Sequence, residues 1–110
     1  MSEPFSILKE NLEGNLDKIT PVIRGWSKIF QFKVSDGEPF YIEFKNDKAI
    51  VVKGEHQSPT ATLILKKEDL MKILRGELDA NQAFFKGILK ISGNIMETLN
   101  LKKVLDTLRK

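Results

Sequence analysis

Apolar residues recur over the first twenty positions at three- and four-residue steps: Phe5, Leu8, Leu12, Leu16 and Ile19. That spacing gathers them on one face of a helix. Ser2 is its expected N-cap, Pro4 falls in the first turn, and Pro21 is expected to end the helix or force a new turn. From Lys28 the period changes to two. Phe30, Phe32 and Val34 alternate with Gln31 and Lys33, then Phe40, Ile42 and Phe44 alternate with Tyr41, Glu43 and Lys45. Two half-buried strands follow from this, separated by a turn at residues 35–38. Asn46-Asp47 predicts another tight turn into a third strand at 49–53, so that residues 28–55 form an antiparallel meander. A connector at 56–59 leads to a fourth strand at 60–65. Helices return over 67–75, stopped by Gly76, and from an Asp79 N-cap through Phe85. Residues 88–92 alternate as a fifth strand, with Leu89 and Ile91 on one side. Asn94 and Glu97 have the spacing of a capping box, which opens a final helix towards Lys110.

The 110 residues suit one domain spanning 1–110, and 41% hydrophobic with 30% charged content fits a chain that folds on its own core. The longest apolar run is Ala49-Ile50-Val51-Val52, far short of the roughly 20 residues that span a bilayer. Met1-Ser2-Glu3-Pro4 lacks the basic start and apolar stretch of a signal peptide, and Thr107-Leu108-Arg109-Lys110 matches no targeting tail. A cytoplasmic location is the expectation.

Charge is unevenly placed. Residues 1–55 carry eight basic and nine acidic side chains; residues 56–110 carry ten and six. The first helix is net acidic, with Glu3, Glu10, Glu13 and Asp17 against Lys9 and Lys18, which disfavours its adsorption to an anionic membrane. The basic second half either meets an anionic partner or is a solvated surface.

Catalytic chemistry finds little to work with. There is no Cys, and the one His, His56, sits in a Gln-Ser-Pro connector, where a surface role is expected. A zinc or iron site would be left with carboxylates alone. Asp36 and Glu38 flank a turn glycine as ordinary turn residues, and the glycines form no phosphate loop. The expectation is a non-catalytic protein with no metal and no cofactor. Nucleic acid is an unfavoured partner, because Phe30, Phe32, Phe40 and Phe44 alternate with charge as a buried sheet face does. Seven Phe, one Trp and three Met supply much large side-chain volume, and an amphipathic helix at each end can cover one sheet face. Such a layer packs solid or is held apart around an apolar ligand; the pattern allows both.

The run Gly76-Glu77-Leu78-Asp79-Ala80-Asn81-Gln82-Ala83-Phe84-Phe85-Lys86-Gly87-Ile88-Leu89-Lys90-Ile91-Ser92-Gly93-Asn94 resembles the signature region of the sterol carrier protein 2 domain family. A helix ending in Gly, a short helix ending Ala-Phe-Phe-x-Gly and a strand Leu-Lys-Ile-x-Gly-Asn stand in the family's order. The N-terminal helix and the phenylalanine meander extend the likeness over nearly the whole chain. The resemblance implies an α/β (α+β) fold, with a five-stranded, mostly antiparallel sheet covered on one face by helices. It also implies a hydrophobic tunnel for a fatty acid, acyl-CoA, isoprenoid or sterol. By that analogy the lining residues are Phe30, Phe32, Phe40, Ile42, Phe44, Leu70, Leu74, Phe84 and Phe85. Ile95, Met96, Leu99, Val104, Leu105 and Leu108 wall the tunnel from the final helix, and Met96 suits differing ligands through its flexible thioether. Many relatives have Gln where this chain has Lys86, so Lys86 is either a contact for an anionic headgroup or an exposed lysine. The implied function is non-catalytic lipid binding or transfer, with a transient membrane contact among its partners. The alternative is an accessory or dimerisation module that assists a partner enzyme. Monomer and homodimer both stay open.

Overall fold

The computed structural model describes residues 3–109; Ser2, the expected first N-cap, lies outside them. Helices α1 (Pro4–Glu13) and α2 (Leu16–Ile23) lead into strands β1 (Lys28–Val34), β2 (Phe40–Lys45), β3 (Lys48–Lys53) and β4 (Ala61–Leu65). Helices α3 (Lys67–Leu74) and α4 (Ala80–Phe85), strand β5 (Lys90–Gly93), a 3-10 turn (Ile95–Glu97) and helix α5 (Thr98–Arg109) complete the chain. The sheet order is β3-β2-β1-β4-β5. Only β1 and β4 run parallel; the other three pairings are antiparallel. The five-stranded, mostly antiparallel sheet and its helical cover agree with the pattern.

The first helix divides earlier than expected. Asn15 leaves the helical region (φ −131°, ψ 36°), and its side-chain amide donates to the Asn11 carbonyl at 2.8 Å, satisfying an orphan acceptor of α1. Pro21, expected to end the helix, sits inside α2, which runs on to Ile23. A proline within a helix costs about 3 kcal/mol. Full burial of Ile19 and Ile23, roughly 1.5–3 kcal/mol each, offsets that cost and holds the last turn.

Alternation in the strands is read out as burial except at Gln31 and Thr62, which are buried on the opposite face, where the Gln31 amide donates to the Thr62 hydroxyl at 3.3 Å. Phe30, Phe32, Phe40, Ile42 and Phe44 are all buried on the helix-covered face. The register aligns Phe40, Phe32, Leu63 and Ile91 as one row across β2, β1, β4 and β5, with the Phe32 and Phe40 rings stacked at 4.9 Å. Asn46 and Asp47 take positive φ (55° and 60°), as a two-residue hairpin turn requires.

Long-range polar contacts finish elements whose local caps are missing. Neither Lys66, before α3, nor Asp79, the expected cap of α4, makes a side-chain capping bond. The α3 amide of Lys67 instead donates at 2.9 Å to Asp36 Oδ1 from the β1–β2 turn. On the edge strand β3, the Val51 amide donates to Glu13 Oε2 of α1 at 3.0 Å. This blunts an open edge and holds the Glu13 carboxyl below its ordinary value, chiefly through that backbone N–H. His56 is half-buried: its Nδ1 accepts the Ser58 amide at 2.9 Å, and its ring meets Tyr41 edge-on at 5.2 Å. It serves the connector rather than standing free on the surface.

Candidate functional site: an apolar cavity beneath the short helices

Helices α1 and α2 cover the β3 side of the sheet and brace α5, closing the core around Phe30, Ile42 and Phe44. Over β4 and β5 the cover is thinner. The six-residue α4 buries only Ala83 completely, and the 3-10 turn buries no residue. A cavity of about 360 Å³ remains there.

Its floor is three of the four residues of that row, Phe32, Leu63 and Ile91, with Leu65 and Leu89 beside them. Leu70 and Ile73 of α3, and Phe84 and Phe85 of α4, form one wall. Ile95 and Met96 of the 3-10 turn, with Leu99, Leu101 and Leu105 of α5, form the other. One end is polar. Lys102 Nζ lies 3.0 Å from Asp106, Arg109 also pairs with Asp106, and Arg109 Nη1 donates to the Ile73 carbonyl at 3.1 Å. Asp106 is thus shared by two cations, and the Arg109 bond to the Ile73 carbonyl ties α5 to the end of α3. The Thr98 hydroxyl, also lining, donates to the Ile95 carbonyl at 2.6 Å.

The structure gathers eight of the fifteen apolar residues named from the sequence around this cavity: Phe32, Leu70, Phe84, Phe85, Ile95, Met96, Leu99 and Leu105. Phe30, Ile42, Phe44 and Val104 lie in the core away from its walls. Phe40 is buried at the back of a separate depression between the start of α1 and the β1–β2 turn. Leu74 and Leu108, with Leu105, border a small crevice against Leu8 of α1. Lys86 is exposed at the end of α4, next to Phe85. Leu63, Ile73, Leu78, Leu89 and Ile91 also line the cavity and were not singled out as lining. The alignment of Leu63 and Ile91 with Phe32 rests on strand register, whereas Ile73 comes from α3 and Leu78 and Leu89 from the segments flanking α4.

The mouth is held by a clasp between distant segments. Asn94 Oδ1 accepts the Glu97 amide at 3.4 Å, which is half of the expected capping box. The reciprocal half is absent, since the Asn94 amide donates to the Thr60 carbonyl at 3.0 Å. The Glu97 carboxylate turns instead to Lys28 Nζ at 2.9 Å and to the Asn100 amide at 2.6 Å.

The sequence profile of the SCP-2 sterol transfer family matches residues 8–106. Hydroxysteroid dehydrogenase-like protein 2 of Rattus norvegicus is 31% identical over 109 residues, which cover 96% of this chain and 20% of that protein. Sterol carrier protein 2 of Bos taurus is 29% identical over 105 residues, 91% of this chain and 19% of that one. The chain thus spans about a fifth of the length of these curated relatives. Among solved structures, sterol carrier protein domain 2 of Helicoverpa armigera superposes with a TM-score of 0.75 at 27% identity, over 94% of this chain and 84% of that one. Sterol carrier protein 2 of Aedes aegypti, solved in complex with palmitate, gives 0.75 at 20% identity, over 97% and 98%. With the profile covering nearly the whole chain, this protein belongs to the SCP-2 sterol transfer family.

Proposed function

We propose that the domain is a non-catalytic carrier that holds the acyl chain of a fatty acid, acyl-CoA or similar lipid in the cavity beneath α3, α4 and α5. The observation that carries this reading is the cavity itself: about 360 Å³, floored and walled by apolar side chains, within the roughly 300–1,000 Å³ range of small-molecule sites. Each methylene withdrawn from water contributes roughly 0.8 kcal/mol, so ten supply about 8 kcal/mol before ordering costs, the scale of a micromolar site. No reacting group is needed for such affinity. Phe32, Leu63, Leu70, Phe84, Ile91 and Leu105 grip the chain, while Phe85, Met96 and Leu99 stand at its entrance. Phe30, Phe40, Ile42, Phe44, Leu74, Val104 and Leu108 belong to the packed core and to neighbouring crevices, and hold the fold rather than the chain. Family membership and the palmitate complex of the Aedes aegypti protein support the reading.

The test is organic extraction of the purified protein with mass spectrometry, followed by calorimetric titration of the delipidated protein with palmitate. Stoichiometric lipid and a saturable heat are expected. An empty protein that gives no heat with palmitate or its CoA ester overturns the reading. Trp26 makes a poor reporter, because it packs on Phe44 rather than against the cavity.

A second reading, presentation of a hydrophobic substrate to a partner enzyme, is favoured by one observation: the domain matches a fifth of a relative named as dehydrogenase-like. Faster turnover of a lipid substrate by an enzyme when the loaded domain is present would support it.

A further inference from the structure

The cavity has two unlike ends. At one, Phe85 is 85% exposed and Met96 71%, with Ile95 and Leu99 beside them. At the other stand Lys102 and Arg109, the cations of its lining. Arg109 lies ten residues beyond Leu99 on α5, about 15 Å along the helix axis. The apolar floor of Phe32, Leu63 and Ile91 runs beneath.

Both cations are built into the fold. About two-thirds of the Lys102 side chain is covered, and more than half of that of Arg109. The guanidinium is held from two elements: Nη1 donates to the Ile73 carbonyl at 3.1 Å, and Nη2 to Asp106 of its own helix. It lies beside Gly76, where a Cβ would come within 3.7 Å of Nη1. Hydrogen-bonding capacity here is unevenly used. Asp106 has both oxygens taken, Oδ2 by Lys102 and Oδ1 by Arg109. Lys102 gives one bond and Arg109 two, fewer than an ammonium and a guanidinium can donate. Asp79, the other acid on the lining, is exposed at the start of α4 and pairs with neither cation. This end therefore has positively charged donors in excess, and the group that satisfies them best is a carboxylate.

We propose that Lys102 and Arg109 form a subsite for the carboxylate of a free fatty acid, with the acyl chain running from them along the floor to Phe85 and Met96. The inference rests on the carrier reading and narrows it: the preferred ligand is the ionised acid, not the alcohol or ester of the same chain. Arg109 supplies direction as well as charge, because its planar fork matches the two oxygens of a carboxylate. Asp106 positions both cations and competes with the ligand for them. Lys86, exposed at the end of α4, lies off the lining and takes no part. An apolar pocket without such a subsite would favour the neutral ligands, which lose less hydration on leaving water.

The experiment is calorimetric titration of the delipidated protein with dodecanoate, dodecanol and methyl dodecanoate at neutral pH. Dodecanoate is expected to bind about tenfold more tightly than either neutral ligand, the scale of one hydrogen bond to a charged group. Lys102→Gln with Arg109→Gln brings the acid down to the level of the alcohol, while unchanged dodecanol binding reports an intact cavity. Asp106→Asn removes the competitor and tightens dodecanoate about threefold, with dodecanol unaltered; loss of a merely structural contact would not do this. Lys86→Gln keeps the wild-type preference. Equal affinity of the wild type for acid and alcohol overturns the subsite and leaves the carrier reading standing. A preference that survives the double substitution, or that vanishes in Lys86→Gln, overturns it by placing the head elsewhere. Where the double variant loses dodecanol as well, Asp106→Asn decides, and dodecanoate no tighter there than in wild type overturns the subsite. If no ligand of the three binds the wild type, the carrier reading fails and the subsite with it.

Discussion

Lys28 and Glu97 stand 69 residues apart in the chain, yet their Nζ and carboxylate oxygen lie 2.9 Å apart. The contact joins the first residue of β1 to the last residue of the 3-10 turn, beside the mouth of the cavity. About three-quarters of the Glu97 side chain is covered, and its carboxyl is held below the usual glutamate value, first by Lys28 and then by Asn100. A depressed carboxylate stabilises the fold above its unfolded pKa and loses that contribution as the pH falls through the folded one. Glu97→Gln is therefore expected to cost about 1 kcal/mol in urea unfolding at neutral pH. The gap to wild type closes as the pH is lowered through the carboxylate range. A gap that stays constant through that range would show that the pair acts by packing rather than by charge.

Two glycines with positive φ separate backbone strain from steric clash. A Cβ at Gly87 (φ +78°) meets nothing within 4 Å, whereas one at Gly93 (φ +91°) would lie 2.9 Å from the Thr60 carbonyl oxygen and 3.1 Å from Ala61 Cα. Gly87→Ala should cost about 1 kcal/mol for the left-handed backbone alone. Gly93→Ala should cost about 2–3 kcal/mol and loosen the β4–β5 pairing. Thermal unfolding of the two variants side by side tests this, and equal losses would rule out the steric part.

Phenylalanines that look alike in sequence have opposite roles in stability. Phe44, fully buried beneath Trp26 and Phe30, should cost about 3–5 kcal/mol when changed to alanine. Phe85→Ala should change stability by less than about 0.5 kcal/mol, because little of that ring leaves water on folding. Denaturant midpoints measured at constant m-value decide between these expectations.

Ile91 faces the cavity from an edge strand, where an aromatic residue suits the backbone. Ile91→Trp is expected to fill the space and weaken palmitate binding at least about tenfold, with circular dichroism unchanged. Undiminished affinity in a folded variant would place the acyl chain elsewhere.

By itself the sequence determined which side chains point inward. Period-two alternation set Phe30, Phe32, Phe40, Ile42 and Phe44 on one face of the sheet, and three- and four-residue steps set Leu8, Leu12 and Ile19 on one face of each helix. These are local consequences of chain geometry, so they are visible one segment at a time. Turn chemistry was legible for the same reason at Asn46-Asp47. Only the tertiary structure decided which inward residues meet a cavity and which meet each other. The pairing of β4 with β1 aligned Phe32 with Leu63 and Ile91 over the thinly covered half of the sheet, while Phe44 packed edge-on between Trp26 and Phe30, away from the cavity. The same separation governed the polar contacts. Asn94 and Glu97 had the spacing to cap each other, but Lys28 and Thr60 arrive from distant segments with better-placed partners, so the clasp formed across the fold instead. Alternation records burial; whether a buried face is filled by protein or left open depends on register and on the length of the helices above it.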